Sequence, residues 1–281
     1  MPDPGKLLNT LHQAVRLFRT TPGRQGRFLE LQDVDEVLVA GDLHGNLPNF
    51  RQLLARADLA RQPRRHLVLQ ELIHGPFQYS DGGDKSHQLL DLLAALKCQF
   101  PHQVHMLLGN HEQAQLQGRA ISKNDQVYND LFRRGIDSAY GIHGDAVYRA
   151  YMEMFEVLPL AIRTPNRIFL SHSLPKVSRL RNFTLKMLFR ELHPPQDWEP
   201  GGPLYELLWG RDVTADNATR FLELVDADFL ITGHIACPSG YEAPNPKQLI
   251  LDCMSSPAAY CLFAATRPLT QVEIVGGIKT L

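Results

Sequence analysis

The sequence predicts an α/β layered fold. Short apolar runs with strand character alternate with amphipathic segments of helical period, as expected when helices pack on the faces of a sheet. The C-terminal stretch QLILDCMSSPAAYCLFAATRPLTQVEIVGG reads instead as three strands joined by turns at Ser-Ser-Pro and Arg-Pro, so the fold is expected to close with antiparallel sheet. With 281 residues, 44% hydrophobic and 21% charged, the chain can bury a substantial core and is near the upper end for one globular domain. One domain over residues 1–281 is expected, with residues 1–25 as an N-terminal helix and linker packed on it.

In chain order, GKLLNTLHQAVRLFR (5–19) places Leu7, Leu8, Leu11, Val15 and Phe18 at helical spacing, and TTPGRQG breaks the helix. A short strand follows in RFLELQD, then an almost wholly apolar one from Val37 to Ala40, the pattern of a strand covered on both faces. Helices are expected at about 47–60, 84–98, 125–135, 145–157 and 214–226. Further strands are expected at HLVLQEL, QVHMLLG, RIFLSH and FLITGH, and HPPQDWEPGGP, rich in turn-formers, is expected to lie over the surface.

Composition excludes several classes of function. Lysine plus arginine number 29 against 30 acidic residues, so no polyelectrolyte signature points to a nucleic acid polymer or an anionic membrane. No run approaches the ~20 apolar residues of a membrane span, and MPDPGKLLNT carries no basic-then-apolar leader. Cys98, Cys237, Cys253 and Cys261 form no CxxC pair, which fits a reduced compartment. A soluble cytoplasmic protein is expected, its substrate recognised at a local site.

Five apolar strands each stop at residues able to ligate a metal: VLVA-GDLHG, HLVLQ-ELIHG, VHMLL-GNHE, RIFL-SHS and DFLIT-GH. Ligands in layered α/β folds sit beyond the carboxyl ends of strands, so Asp42, His44, Glu71, Asn110, His111, His172 and His234 are expected to converge on one crevice. Asp42 and His44, two apart in extended backbone, point the same way, and Gly41 and Gly45 permit the tight turn. Carboxylate, imidazole and one amide oxygen suit divalent Mn, Fe or Zn better than a thiolate-bound structural zinc. Each motif also has a plain reading: a strand-ending turn for GDLHG, a helix N-cap for GNHE, satisfied core histidines for His172 and His234.

The series GDLHG, GNHE, SHS and GH, from about Val37 to Asp252, resembles the calcineurin-like metallophosphoesterases, closest to the branch of phosphoprotein (Ser/Thr) phosphatases and diadenosine tetraphosphate hydrolases. The resemblance implies a four-layer αββα sandwich, two mixed β-sheets flanked by helices, with a binuclear site along their shared edge. It implies two divalent cations, Mn2+ first with Fe or Zn as alternatives. Asp42 and His44 would hold the first, and Asn110, His172 and His234 the second, while His111 would protonate the leaving oxygen. GHIAC has Ala236 where the wider superfamily has a second histidine, which favours the phosphoprotein phosphatase branch. Arg211 in LLWGRD falls where that branch carries a phosphate-contacting arginine; a surface pair with Glu206 or Asp212 is the alternative.

The family's GDxxDRG motif is altered. Laying LVLQELIHGP on it puts Glu71 on the metal-bridging aspartate, His74 on the second aspartate and Gly75 on the arginine. Glu71 is expected to bridge the metals once a backbone or rotamer shift absorbs its extra methylene. His74 would stabilise a cationic His111 less than a carboxylate would, and service as an added metal ligand is the alternative. The segment SDGGDKSH offers Asp81 or Asp84 as the residue that orients His111; a turn capped by Asp84 or Ser86 is the plain alternative, and His87 is expected on the helix surface. Lys85, Arg119 and Lys123 are candidates to replace the lost arginine.

The expected reaction is phosphomonoester hydrolysis of the Ser/Thr protein phosphatase type, a metal-bridged hydroxide attacking phosphorus with His111 as general acid. The alternatives are hydrolysis of nucleotide polyphosphates, and a degenerate member that binds a phosphorylated ligand or protein without turnover. The substrate is a phosphoprotein, small phosphoester or nucleotide.

Overall fold

In the computed structural model, which describes residues 3–123 and 126–281, with Lys123 by its backbone alone, the chain begins with α1 (Pro4–Arg19), β1 (Arg24–Gln25), β2 (Phe28–Glu30) and β3 (Glu36–Asp42). Next come α2 (Leu47–Ala57), β4 (Arg65–Gln70), α3 (His87–Gln99), β5 (Val104–Leu107) and α4 (Asn110–Gln117). The paired strands β6 (Ser122–Lys123) and β7 (Gln126–Val127) precede α5 (Tyr128–Tyr140), α6 (Gly144–Val157), β8 (Ala161–Arg163) and β9 (Ile168–Ser171). Short 3-10 turns lead to α7 (Pro203–Trp209), α8 (Ala215–Leu224), β10 (Phe229–Thr232), β11 (Tyr241–Asn245) and β12 (Gln248–Leu251). The chain ends with β13 (Ala259–Ala264), α9 (Gln271–Gly276) and β14 (Ile278–Thr280).

The strands form two large mixed sheets, one in the order β14-β13-β3-β4-β5 and the other β1-β2-β8-β9-β10-β12-β11. Side-chain alternation builds the layers. Val37 and Val39 on β3, Val68 on β4 and Leu107 on β5 meet Ile168, Leu170, Phe229, Ile231, Leu249 and Leu251 of the other sheet in one buried cluster. Their alternates Leu38, Ala40, Leu67 and Leu69, with Phe169 and Leu230, join the helices in a second cluster. α1 packs on α3 and α6 through Leu7, Leu11, Ala14, Val15 and Phe18, after Asp3 caps its first turn.

The parallel strands β3, β4 and β5 end at the same edge. β9 and β10, also parallel, end beside them, and a bridge between Asp42 and Asp252 with Cys253 N donating to Asp42 O at 3.0 Å stitches the two sheets there. The crevice beyond the carboxyl ends is therefore built by both sheets.

The tail differs from expectation. β12 runs parallel to β10 in one sheet whereas β13 pairs antiparallel with β3 in the other. The segment QVEIVGG is α9, not a third strand, because Thr270 and Glu273 form a capping box: Thr270 Oγ1 accepts from Glu273 N and Glu273 Oε2 from Thr270 N. α4 has no apolar stripe to announce it and was not expected. α3 begins at His87, since Asp84 and Ser86 are consumed by the preceding turn; His87 is buried, bonded to Tyr79 OH at 3.0 Å, rather than on the surface. α5 starts at Tyr128 and the expected start at 125 lies outside the described residues.

At the opposite, amino ends of β4 and β5, the buried His66 Nδ1 and His105 Nε2 lie 3.0 Å apart. Burial, with the Lys97 ammonium nearby, pushes His66 down to about 4 and His105 well below its ordinary 6.5. Below pH 6.5 the unfolded chain takes up protons that these folded imidazoles refuse, so the pair's contribution to stability falls as pH drops from 6.5 towards 4. His105→Gln keeps a hydrogen-bonding side chain without the titration. Thermal unfolding followed against pH should show an acid slope flatter than the parent's, by up to roughly 1.4 kcal/mol per pH unit.

Candidate active site

The site residues lie just past strand ends, where the backbone bends sharply. His44, Glu71, His74 and His234 all have positive φ, 40°, 48°, 64° and 67°. Such values are uncommon for residues with a Cβ and persist where surrounding contacts hold them. Here the contacts are visible: Leu43 N and His44 N both donate to Glu71 O at 2.9 Å, and Gly45 N donates to Leu72 O at 2.8 Å. A Cβ on Gly75 would lie 2.1 Å from His44 O, so the loops after β3 and β4 interlock only because that position is glycine.

Glu71 sits at the centre with 1% of its surface exposed. Its Oε1 accepts the N–H of His111 at 3.0 Å, and its Oε2 lies 2.7 Å from His172 Nε2. A Cβ on Gly109 would come within 2.2 Å of that Oε2, so the space left by this glycine accommodates the longer acid. His172 Nε2 is also 2.7 Å from Asn110 Oδ1, which lies 2.8 Å from His234 Nδ1, and His234 N donates to Asp42 Oδ2 at 2.7 Å.

Two groups of ligand atoms lie within 4.8 Å of one another, His44–Glu71–His111 and Asp42–Glu71–His172, and Glu71 belongs to both. Asp42 Oδ1, Glu71 Oε2 and His234 Nε2 are buried without a hydrogen-bond partner among the described residues. Folded proteins seldom leave such atoms unmatched, and carboxylate and imidazole donors left open beside one another fit divalent cations.

Comparison with known proteins agrees with this geometry. The calcineurin-like phosphoesterase family model matches residues 36–238. This chain belongs to that family. A protein of Encephalitozoon cuniculi named as a probable serine/threonine-protein phosphatase is 28% identical over 231 residues, 76% of this chain and 46% of that protein. Human serine/threonine-protein phosphatase 5 is 24% identical over 76% of this chain and 42% of its own length. The chain thus spans about half the length of the curated relatives it matches. A solved protein serine/threonine phosphatase from Saccharomyces cerevisiae, with similarity to human phosphatase PP5, superposes with a TM-score of 0.71 at 20% identity, covering 100% of this chain and 90% of that one. The fold is that of this phosphoesterase, two mixed sheets flanked by helices.

Electrostatics prepares the phosphoesterase site for positive charge. Burial, and then the Glu71 charge, raises Asp42 well above the ordinary carboxylate range, and burial lifts Glu71 to about 8. Burial lowers His172 to about 3 and His111 and His234 well below 6.5. Neutral His172 and His234 can therefore offer lone pairs, and a cation arriving beside the two buried carboxylates would favour their charged forms.

Of the residues expected at the site, Asp42, His44, Glu71, Asn110, His111, His172 and His234 are brought together. Arg211 joins them at the exposed rim: a cavity of about 430 Å³ is lined by Asp42, His44, His74, His111, Arg211 and His234 among others. Arg211 makes no ion pair among the described residues, whereas Glu206 pairs with Lys176 and Asp212 caps Val177 and Thr214. Asp81 is not brought in. It is exposed and bonded to Ser138 and Gly83, because the turn at 81–84 folds outward onto α5. Asp84 is buried but serves the turn, accepting from Gly75 N, Ser86 N and Ser86 Oγ. The residue touching His111 is His74, Nδ1 to Nδ1 at 3.0 Å. Lys85 lies over the Tyr79 ring and Arg119 pairs with Glu199, neither lining the cavity, and the Lys123 side chain lies outside the described atoms. A larger cavity of about 660 Å³ between Arg27, Trp198 and Leu116 holds none of the ligand residues.

Two supporting residues escaped the sequence reading. Gln70 holds His172 Nδ1 at 3.0 Å and donates to Ala40 O at 3.1 Å. Glu112, the last letter of GNHE, accepts the N–H of Leu72 at 2.8 Å and of Ile73 at 3.2 Å, pinning the loop that carries Glu71. An acid inside an otherwise polar helix turn was the available signal.

Gly109→Ala should weaken Mn(II) binding about tenfold or more by titration calorimetry, because its methyl meets the Glu71 and Glu112 carboxylates. Unchanged affinity would remove Glu71 from the ligand set. Glu112→Ala orphans two buried N–H groups and should lower stability by roughly 1–3 kcal/mol per group in denaturant titration, with Glu112→Gln much closer to the parent.

Proposed function

We propose that this chain is a divalent-cation-dependent phosphomonoesterase of the serine/threonine protein phosphatase type, acting on a phosphorylated protein or small phosphoester. The observation carrying this reading is the Glu71 carboxylate, shared by two groups of ligands at the meeting of two sheets. Those groups cut across the division that the resemblance implies, in which Asp42 and His44 would hold one cation and Asn110, His172 and His234 the other, with Glu71 common to both. Such cations, manganese first and iron or zinc as alternatives, supply Lewis-acid charge to the phosphoryl oxygens and lower the pKa of the attacking water.

The chain's own residues supply the rest. Arg211, at the cavity rim and without an ion pair among the described residues, is placed to grip phosphoryl oxygens. His111, with 19% of its side chain exposed to the cavity, would act once protonated beside the phosphate dianion, its imidazolium giving the Nε2–H to the departing oxygen and ending neutral with the Nδ1–H kept. Attack by water leaves no phosphoenzyme. Hydrolysis of nucleotide polyphosphates has less support, since a polyphosphate chain calls for several cationic side chains and Arg211 is the one arginine or lysine lining the cavity among the described residues. No described helix is long and apolar enough to cross a membrane.

The test is hydrolysis of p-nitrophenyl phosphate by protein stripped with chelator and restored with Mn(II). Turnover should require the metal and fall ~100-fold or more in His111→Ala. Bound Mn(II) without turnover of this ester or of phosphopeptides would overturn the enzymatic reading in favour of a phosphoryl-binding protein.

A further inference from the structure

The geometry assigns Gln115 and Tyr148 as positioning residues for His111, acting through His74 as a neutral hydrogen-bond chain where the family pattern has an aspartate. The catalytic consequence rests on the phosphatase reading above; the chain itself does not.

α4 places His111 and Gln115 one turn apart on the same face. The His74 ring lies along that face, its Nδ1 3.0 Å from His111 Nδ1 and its Nε2 3.0 Å from Gln115 Oε1. Gln115 Nε2 donates to Tyr148 OH on α6 at 2.9 Å. His74 N donates to Ser86 Oγ at 3.2 Å, and the Tyr128 and Phe132 rings stand 6.0 and 5.9 Å from the imidazole, so it is held on several sides.

A neutral imidazole has one N–H and one lone pair. The Gln115 carbonyl takes the N–H of His74 at Nε2, which leaves a lone pair at Nδ1. That lone pair accepts the Nδ1–H of His111 and turns Nε2 to the substrate side; His111 acts as acid in its imidazolium form, which keeps the Nδ1–H on His74 and gives up the Nε2–H. Successive donors and acceptors aligned in one direction reinforce one another in a buried setting, doing with dipoles part of what a carboxylate does with charge. Without an acceptor at position 115, His74 can carry its proton at Nδ1, where it opposes the N–H of His111.

The chain is tested first by 15N NMR of the imidazoles in the diamagnetic, Zn(II)-loaded protein. His74 should be protonated at Nε2 and bare at Nδ1 in the parent and in Gln115→Glu, and protonated at Nδ1 to a large extent in Gln115→Met. Kinetics then reads the consequence as a ratio. The rate on a phosphoserine peptide relative to p-nitrophenyl phosphate should fall ~10-fold in Gln115→Met and recover in Gln115→Glu, because proton donation matters most for a poor leaving group. Tyr148→Phe should move the ratio the same way by less. A parent His74 protonated at Nδ1, or a Gln115→Met variant that slows both esters alike, would overturn the assignment. If the parent hydrolyses neither ester, the phosphatase reading fails while the NMR result still decides the chain.

Discussion

The backbone and carboxylate of Glu71 act together as the pin of the site. Its carbonyl oxygen accepts the N–H groups of Leu43 and His44, its Oε1 accepts that of His111, and its Oε2 packs into the space that a side chain at position 109 would fill. Three loops, after β3, β4 and β5, are thereby fixed relative to one acid. A carboxylate this deeply buried costs free energy unless something compensates it. Hydrogen bonds compensate one oxygen, and the other, 2.7 Å from His172 Nε2, has no hydrogen-bond partner among the described residues.

The second sheet enters through the same place. Asp42 accepts the N–H of His234 and pairs through its backbone with Asp252 and Cys253, so the end of β3 is tied to the ends of β10 and β12. Gly41 sustains this closeness, since a Cβ there would lie 2.1 Å from Leu251 O. The candidate ligands from both sheets consequently share one edge of packed strands.

The altered second motif is rebuilt with local parts. Asp84 and Ser86 brace Gly75 and His74, and below them Asp91 accepts the hydroxyls of Tyr140 and Tyr151, anchoring α3 to α5 and α6. The outward turn at 81–84 is fastened by Ser138 and Gly135, where a Cβ at Gly83 would collide with the backbone. The arginine missing from the motif leaves Arg211 as the cationic side chain at the cavity among the described residues.

Strand-end position and residue type were sufficient to name the seven clustered polar residues, and alternating periods were sufficient for most helices and strands, because both are local properties of the chain. Gln70 and Glu112 were not legible, since their value lies in reaching His172 and the Leu72–Ile73 backbone from another strand end and another helix. Nor was the division of β12 and β13 between sheets, which depends on pairing partners far apart in sequence. Local pattern was enough for the layered α/β class, for the types of residue gathered at the site and for Glu71 as the candidate bridge. That His74, and neither Asp81 nor Asp84, meets His111 emerges from the folded chain. The reason is physical: which of three nearby polar residues reaches a given nitrogen is set by the direction in which a turn folds, and here packing against α5 turned Asp81 away.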